Sequence, residues 1–164
     1  MNARPLRLEL RLDANPLLVS VTRRFVEQAL ETALDDADLV SRVAMAAHEL
    51  LENAAKYARQ GQAVLSVVID RAGSEPGQLT ISLCNAASPM HIDRLREIFS
   101  TIDGCEDPLT MYVGLMRRHA HEVDISGLGL ARIRAEGEMM LDLAIEGEVA
   151  TIAAHATVPA GGAP

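Results

Sequence analysis

The stretch His48-Glu49-Leu50-Leu51-Glu52-Asn53-Ala54-Ala55-Lys56-Tyr57 combines the spacing of an amphipathic helix with a row of polar side chains. Because a helix turns about 100° per residue, one stripe of it is apolar and faces the core. That stripe consists of Val43, Ala47, Leu50, Ala54, Tyr57 and Ala58. Spacings of four and three residues place Glu49, Asn53 and Lys56 together on one edge beside it, where they could face a cavity. Glu52 points away from the core and is interpreted as solvated.

This grouping of side chains suits the binding of a metal and a phosphate. An amide oxygen such as that of Asn53 can ligate Mg²⁺, a carboxylate such as Glu49 can act as a base, and Lys56 can contact phosphate. Glu-x-x-x-Asn by itself is common in helices. The alternative interpretation is therefore an ordinary amphipathic helix with Glu49 and Lys56 on its surface.

A second informative stretch, Ser126-Gly127-Leu128-Gly129-Leu130, lies about seventy residues further along the chain. Small residues at the start of a helix leave backbone N–H groups free, and such an end attracts anions. Gly127 and Gly129 allow a positive φ and a close approach of phosphate oxygens. Arg132 and Arg134, which follow in this helix, are interpreted as solvated.

Together the two stretches resemble the N-box and the G2 box of the GHKL, or Bergerat-fold, histidine-kinase-like ATPases. In size and layout the chain is similar to the anti-sigma-factor serine kinases of partner-switching systems. The resemblance implies that ATP and Mg²⁺ are cofactors. It makes Glu49 the catalytic residue and Asn53 the Mg²⁺ ligand. The implied contacts to the nucleotide are Asn53, Lys56, Gly127, Leu128, Gly129 and Leu130.

A third box of this family, the adenine-facing G1 box, is altered. The family has Asp-x-Gly-x-Gly at the end of a strand, whereas this chain has Asn85-Ala86-Ala87-Ser88-Pro89. The Asn85 carbonyl can still accept a hydrogen bond from an adenine amino group, so Asn85 and Ala87 are carried over as nucleotide contacts. Pro89 removes a backbone donor and narrows the conformations available.

The apolar periodicity predicts ten elements in the order β, α, α, β, β, α, α, α, β, β. The predicted strands cover about residues 6–12, 64–69, 79–83, 140–145 and 149–158, and the helices about 15–34, 37–59, 91–102, 108–121 and 126–138. This order predicts an α/β (α+β) two-layer sandwich with a mostly antiparallel, mixed sheet of about five strands and helices on one face. Residues 1–158 form a single GHKL ATPase-like domain, and 159–164 form a disordered tail.

Three local predictions accompany these elements. Leu18, Val21, Phe25, Ala29 and Ala33 form the buried side of the first helix. The helix over 108–121 has a face made of Leu109, Val113 and Met116. Gly61 caps the end of the second helix.

Composition excludes several classes of function. The 164 residues carry a formal net charge of −8 with scattered basic residues, so direct nucleic-acid binding is not expected. A signal peptide and a run of 18 apolar residues are both absent from the sequence, which predicts a cytoplasmic protein without a membrane association. Cys84 and Cys105 have no metal-ligand spacing.

The leading hypothesis is a stand-alone ATP-binding signalling regulator, for which the resemblance implies the activity of an ATP-dependent protein serine kinase. The resemblance implies a protein partner, such as a STAS-type antagonist, a sigma factor or a response regulator, and is compatible with a homodimer. The alternative is a degenerate GHKL domain that binds nucleotide weakly or not at all and acts as a protein-interaction module. An ATP-hydrolysing machine ranks last, because the chain lacks the additional domains that would use the energy.

Overall fold

A five-stranded sheet forms one layer of the molecule in the computed structural model, which describes residues 6–70, 75–119 and 127–160. The strands lie in the order β1-β2-β3-β5-β4, and every pair is antiparallel. Their bounds are Leu6–Asp13 for β1, Ala58–Asp70 for β2, Gly77–Ala87 for β3, Met140–Glu146 for β4 and Val149–Val158 for β5. The predicted fold class is confirmed. The parallel pairing implied by a mixed sheet does not occur among the described strands.

Five helices form the second layer. They are α1 (Pro16–Glu31), α2 (Ala37–Tyr57), α3 (Pro89–Asp103), α4 (Pro108–His119) and α5 (Leu128–Ala135). α2 is the central helix, since it packs on β2, β3 and β5 and also contacts α1 and α5. In the part of the chain that the structure describes, no helix is long and apolar enough to span a membrane.

The side chains at the helix starts explain where the first three helices begin. The Asn15 side chain accepts a hydrogen bond from the Leu17 amide, and the Asp36 side chain accepts one from the Leu39 amide. Ser88 likewise accepts from the amide of His91. Each of these caps satisfies a backbone N–H that has no acceptor within its helix.

The core lies between the sheet and α2. Nine residues of α2 are buried, and they face the buried side of the three central strands. The predicted α2 stripe is confirmed at Val43, Ala47, Leu50 and Ala54. Tyr57 is only half-buried, and Ala58 already belongs to β2.

The predicted side of α1 was wrong at Leu18, Val21 and Phe25, which are exposed, whereas Ala33 just beyond the helix packs against the core. The side chains that pack into the core are Val19, Val26 and Leu30, whereas Val21 is 64% exposed and Phe25 is 48% exposed. The helix carries two apolar stripes. α2 covers the stripe with Val19, Val26 and Leu30, whereas the apolar periodicity had indicated the other one. The α4 prediction failed in the same way, because Tyr112 is buried while Leu109 and Met116 are exposed.

β2 and β3 are longer than predicted. Gly61, predicted to cap a helix, lies inside β2 with φ +70°, next to an irregularity in the pairing with β3 between Ala58 and Ala63. β3 continues through Ala87, so the segment matched to the G1 box is strand and not loop as far as that residue. Residues 71–74, between β2 and β3 in the sequence, lie outside the described ranges.

Candidate functional site

A cavity of about 290 Å³ lies where α2, α4 and α5 meet. α2 contributes four polar side chains to its wall, those of Glu49, Glu52, Asn53 and Lys56. The first turn of α5 forms the opposite wall, and Tyr112 of α4 closes one side. The fold therefore brings together two stretches that are more than seventy residues apart in the sequence.

The start of α5 has the backbone geometry of an anion-binding turn. Gly127 is the N-cap residue with φ +97°, and no side chain caps the helix there. The Ala131 amide is the donor to the Gly127 carbonyl that closes the first turn. The amides of Leu128, Gly129 and Leu130 consequently have no acceptor within the helix, and they are at the positive end of its dipole.

Gly129 is required at its position by the contact between α5 and Glu49. A Cβ atom added to Gly129 would lie 2.5 Å from Glu49 Oε2, which is far inside van der Waals contact. The glycine therefore allows the carboxylate of α2 to approach the backbone of α5. Gly127 is confined as well, because a Cβ there would lie 3.1 Å from Ile98 side-chain atoms.

Arg132 pairs with the carboxylate that sequence reasoning assigned to catalysis. Its Nη1 donates to Glu49 Oε1 at 3.0 Å, and its Nε donates to Glu136 Oε2 at 2.7 Å. The hydrogen bond with Glu136 is the main cause that raises the pKa of Arg132 above its usual value. The Glu49 side chain is only 13% exposed, so this ion pair is partly desolvated.

Tyr112 extends this network from α5 to α4. Tyr112 is 7% exposed. Its burial is the largest cause that raises the pKa of its phenol, and the charge of Glu136 is the second. Sequence analysis interpreted Arg132 as solvated and did not select Tyr112. The position of Arg132 one turn after Gly129 could have indicated its role at the site. Nothing in the sequence distinguishes Tyr112 from other residues of α4.

Glu52 also differs from its predicted position. It lines the cavity, where its carboxylate lies 3.8 Å from Lys56 Nζ and 3.6 Å from His48 Nε2. The charges of the wall are therefore balanced, with Glu49 and Glu52 against Lys56 and Arg132. A ligand with several negative charges would have to bring a cation with it or displace one of these carboxylates.

The structure separates the residues matched to the G1 box from this cavity. Asn85 is 7% exposed and donates its side-chain amide to the Ala86 carbonyl, while Ala87 is fully buried and its backbone N–H donates to the Glu148 carbonyl. Neither residue lines the cavity, whereas the other seven predicted site residues do. Ser126 lies outside the described residues.

An aromatic pair closes the α2 end of the site. The ring of Tyr57, which lines the cavity, stacks on the ring of His91 with centroids 4.1 Å apart and planes 15° apart. His91 is buried, and burial together with the charge of Arg94 lowers the pKa of its imidazole below 6.5. Because a neutral ring is favoured there, this pair forms a rigid wall and adds no fixed charge.

These features define an antiparallel two-layer sandwich with a polar cavity between its helices. No protein-family model matches the chain, and no curated protein is detectably similar to it in sequence. Among solved structures, the chain is similar to one in the crystal structure of the SiaB-SiaC complex from Pseudomonas aeruginosa. The TM-score is 0.64 at 16% identity, and the match covers 95% of this chain and 92% of that one. This likeness establishes a shared fold.

Proposed function

We propose that this protein is a signalling regulator of the GHKL type that binds the Mg²⁺ complex of ATP in the α2–α5 cavity and acts on a protein partner. The observation that carries the proposal is the convergence of Glu49, Asn53 and Lys56 with the uncapped turn at Gly127 to Leu130. Nothing in the packing of a plain amphipathic helix requires these polar groups to meet an anion-binding turn.

The donor groups suit a phosphate chain with a bound Mg²⁺ ion. Mg²⁺ in nucleotide sites takes one or two protein oxygens and completes its shell with phosphates and water. Asn53 supplies such an oxygen, while Lys56 and the first amides of α5 are placed for phosphate oxygens. A volume of about 290 Å³ is at the lower end of the range for small-molecule sites, about 300–1,000 Å³.

Glu49 has a place in this scheme as the base of a phosphotransfer. The bound nucleotide supplies the γ-phosphoryl group. Glu49 accepts the proton of a hydroxyl group on the partner. The oxygen of that hydroxyl forms the bond to phosphorus, and ADP leaves. Arg132 must first turn from Glu49 towards the phosphates, because its Nη1 donates to the Oε1 atom of the carboxylate that accepts the proton.

The protein partner is supported by the fold and by the chemistry of the site. One solved structure with a similar fold is that of a complex between two proteins. A serine-bearing antagonist of the STAS type is the partner that the family resemblance implies.

A second candidate function, a protein-interaction module without nucleotide, is favoured by two observations. The Arg132–Glu49 ion pair spans the wall of the cavity, and the segment in place of the adenine-binding loop is strand as far as the buried Ala87. In this case the cavity is a structural contact between α2 and α5.

Thermal unfolding of the full chain with and without ATP·Mg²⁺ distinguishes the ATP-binding regulator from the protein-interaction module. Binding at one hundred times the dissociation constant adds about 2.7 kcal/mol to the free energy of unfolding. Asn53→Ala should abolish the Mg²⁺ dependence of that increase, whereas Gln28→Ala, an exposed amide on α1, should preserve it. Glu49→Ala should retain binding and lose phosphotransfer to a STAS-type protein. An unchanged melting temperature at millimolar ATP·Mg²⁺ would overturn the ATP-binding proposal.

A further inference from the structure

Arg132 is shared between two carboxylates at the cavity. Its Nη1 donates to Glu49 Oε1 at 3.0 Å, and its Nε donates to Glu136 Oε2 at 2.7 Å. One guanidinium therefore faces two carboxylates. Glu136 caps the end of α5, the helix that carries Arg132, whereas Glu49 belongs to α2. Only the contact with Glu49 joins two helices, so it can break while the contact with Glu136 stays intact.

The Glu49 carboxylate lies where the fold favours an anion. Its Oε1 accepts from Arg132, and its Oε2 lies against the first turn of α5, since a Cβ added to Gly129 would be 2.5 Å from it. That turn has no side-chain cap, and its free amides are at the positive end of the helix dipole. Glu49 therefore supplies the negative charge that a phosphate oxygen would supply at the same helix end.

The side chain of Arg132 is directed towards this turn. The Cα–Cβ bonds of a helix tilt towards its N-terminus, and residues three apart share a face, so Arg132 extends along the Gly129 side of α5. Its side chain is 40% exposed and lines the cavity together with Leu128, Gly129 and Leu130. The guanidinium and the free amides consequently face the same part of the cavity.

We infer that Arg132 exchanges Glu49 for the terminal phosphate of ATP, stays bound to Glu136, and thereby makes the site prefer a triphosphate to a diphosphate. The inference rests on the proposed function, which places the phosphate chain in this cavity. Exchange is favoured because the fork of an arginine binds phosphate as it binds carboxylate, and the terminal phosphate carries more negative charge. ADP lacks that phosphate, so it leaves the pair of Arg132 and Glu49 in place.

Titration calorimetry of the full chain with ATP·Mg²⁺ and with ADP·Mg²⁺ tests the role of Arg132. Arg132→Leu should weaken the binding of ATP·Mg²⁺ at least about tenfold and that of ADP·Mg²⁺ by less than about threefold. Arg132→Lys retains the charge without the fork and should recover part of the affinity for ATP·Mg²⁺. Arg134→Leu changes an arginine of the same helix that does not line the cavity, and it should leave both affinities unchanged.

A double-mutant cycle tests the exchange itself. In chemical denaturation, Glu49→Gln and Arg132→Leu should be coupled by about fivefold in the equilibrium constant of unfolding. Saturating ATP·Mg²⁺ should abolish this coupling, because the two side chains are then apart, whereas saturating ADP·Mg²⁺ should preserve it. The matched cycle of Glu136→Gln with Arg132→Leu should give the same coupling under all of these conditions.

The outcomes separate this inference from the proposed function. If neither nucleotide binds the wild type, the proposed function fails and the inference fails with it. If ATP·Mg²⁺ binds but Arg132→Leu weakens both nucleotides equally, or the coupling to Glu49 persists with ATP·Mg²⁺, the inference alone is overturned. Circular dichroism confirms folding of each variant, and Arg132→Lys carries the comparison of ATP with ADP if Arg132→Leu does not fold.

Discussion

At the scale of single residues, Gly129 determines whether α5 can lie against Glu49. A Cβ at this position would lie 2.5 Å from Glu49 Oε2, and that carboxylate is held by Arg132. We expect Gly129→Ala to lower the free energy of unfolding by about 1 kcal/mol, the lower end of the usual cost of overpacking, because the clashing atom is the end of a flexible side chain. Chemical denaturation measures this cost, which should shrink in a Glu49→Ala background because the clashing oxygen is then absent.

Gly114 on α4 is the matched control for this substitution. Nothing lies within 4 Å of a Cβ added there, and the residue is within a helix. Gly114→Ala should therefore stabilise the protein by up to about 1 kcal/mol through helix propensity. If both substitutions had the same effect, the close approach of Glu49 to Gly129 would be contradicted.

At the scale of elements, the sequence predicts which helices exist better than which side of each helix is buried. α1 has two apolar stripes, one with Val19, Val26 and Leu30 and one with Val21 and Phe25. Both have helical spacing, and only the position of α2 decides between them. On α2 the choice was clear, because the opposite side of that helix is polar and its buried stripe could be assigned correctly.

The adenine-facing box illustrates a second limit at the same scale. The sequence shows that Asn85 and Ala87 replace the family residues, but it does not show that β3 continues through them. Ala87 is paired with Ala58 of β2, and its N–H is bonded to the carbonyl of Glu148. These bonds depend on residues distant in sequence, which local patterns do not reveal.

The contact between the end of α2 and the start of α3 should make stability depend on pH. Burial lowers the pKa of His91 in the folded protein below its ordinary 6.5. At pH values between the lowered pKa of the folded protein and 6.5, the unfolded chain binds more protons than the folded protein. The free energy of unfolding therefore decreases as the pH falls below 6.5. His91→Phe retains a ring against Tyr57 without a titrating group. It should reduce the change of the free energy of unfolding with pH by at most about 1.4 kcal/mol per pH unit.

Denaturation curves at pH 8 and pH 5.5 measure this difference. At pH 8 His91 is neutral in both states, so the variant and the wild type should differ mainly through packing. At pH 5.5 the variant should have lost less of its stability than the wild type. Parallel loss in both proteins would mean that His91 protonates as easily in the fold as in the unfolded chain.

At the scale of the whole molecule, element order was sufficient to predict the two layers. The strands of 79–83 and 149–158 were each recognisable, but their adjacency in the sheet was not, since four elements separate them. The cavity follows from that arrangement, because α2 and α5 are distant in the sequence and contact each other only in the folded chain. The match of Glu49 and Asn53 to a known box anticipated this meeting, whereas periodicity alone did not.

The outer strand β1 and the inner strand β3 should differ in hydrogen exchange. Every second amide of an outer strand points away from its neighbour and exchanges readily. β3 pairs with β2 on one side and with β5 on the other, so its amides should exchange at least about tenfold more slowly than the outward amides of β1. Exchange of the full chain measured by NMR tests this expectation. Equal protection of successive amides along β1 would mean that this strand is not an open edge of the sheet.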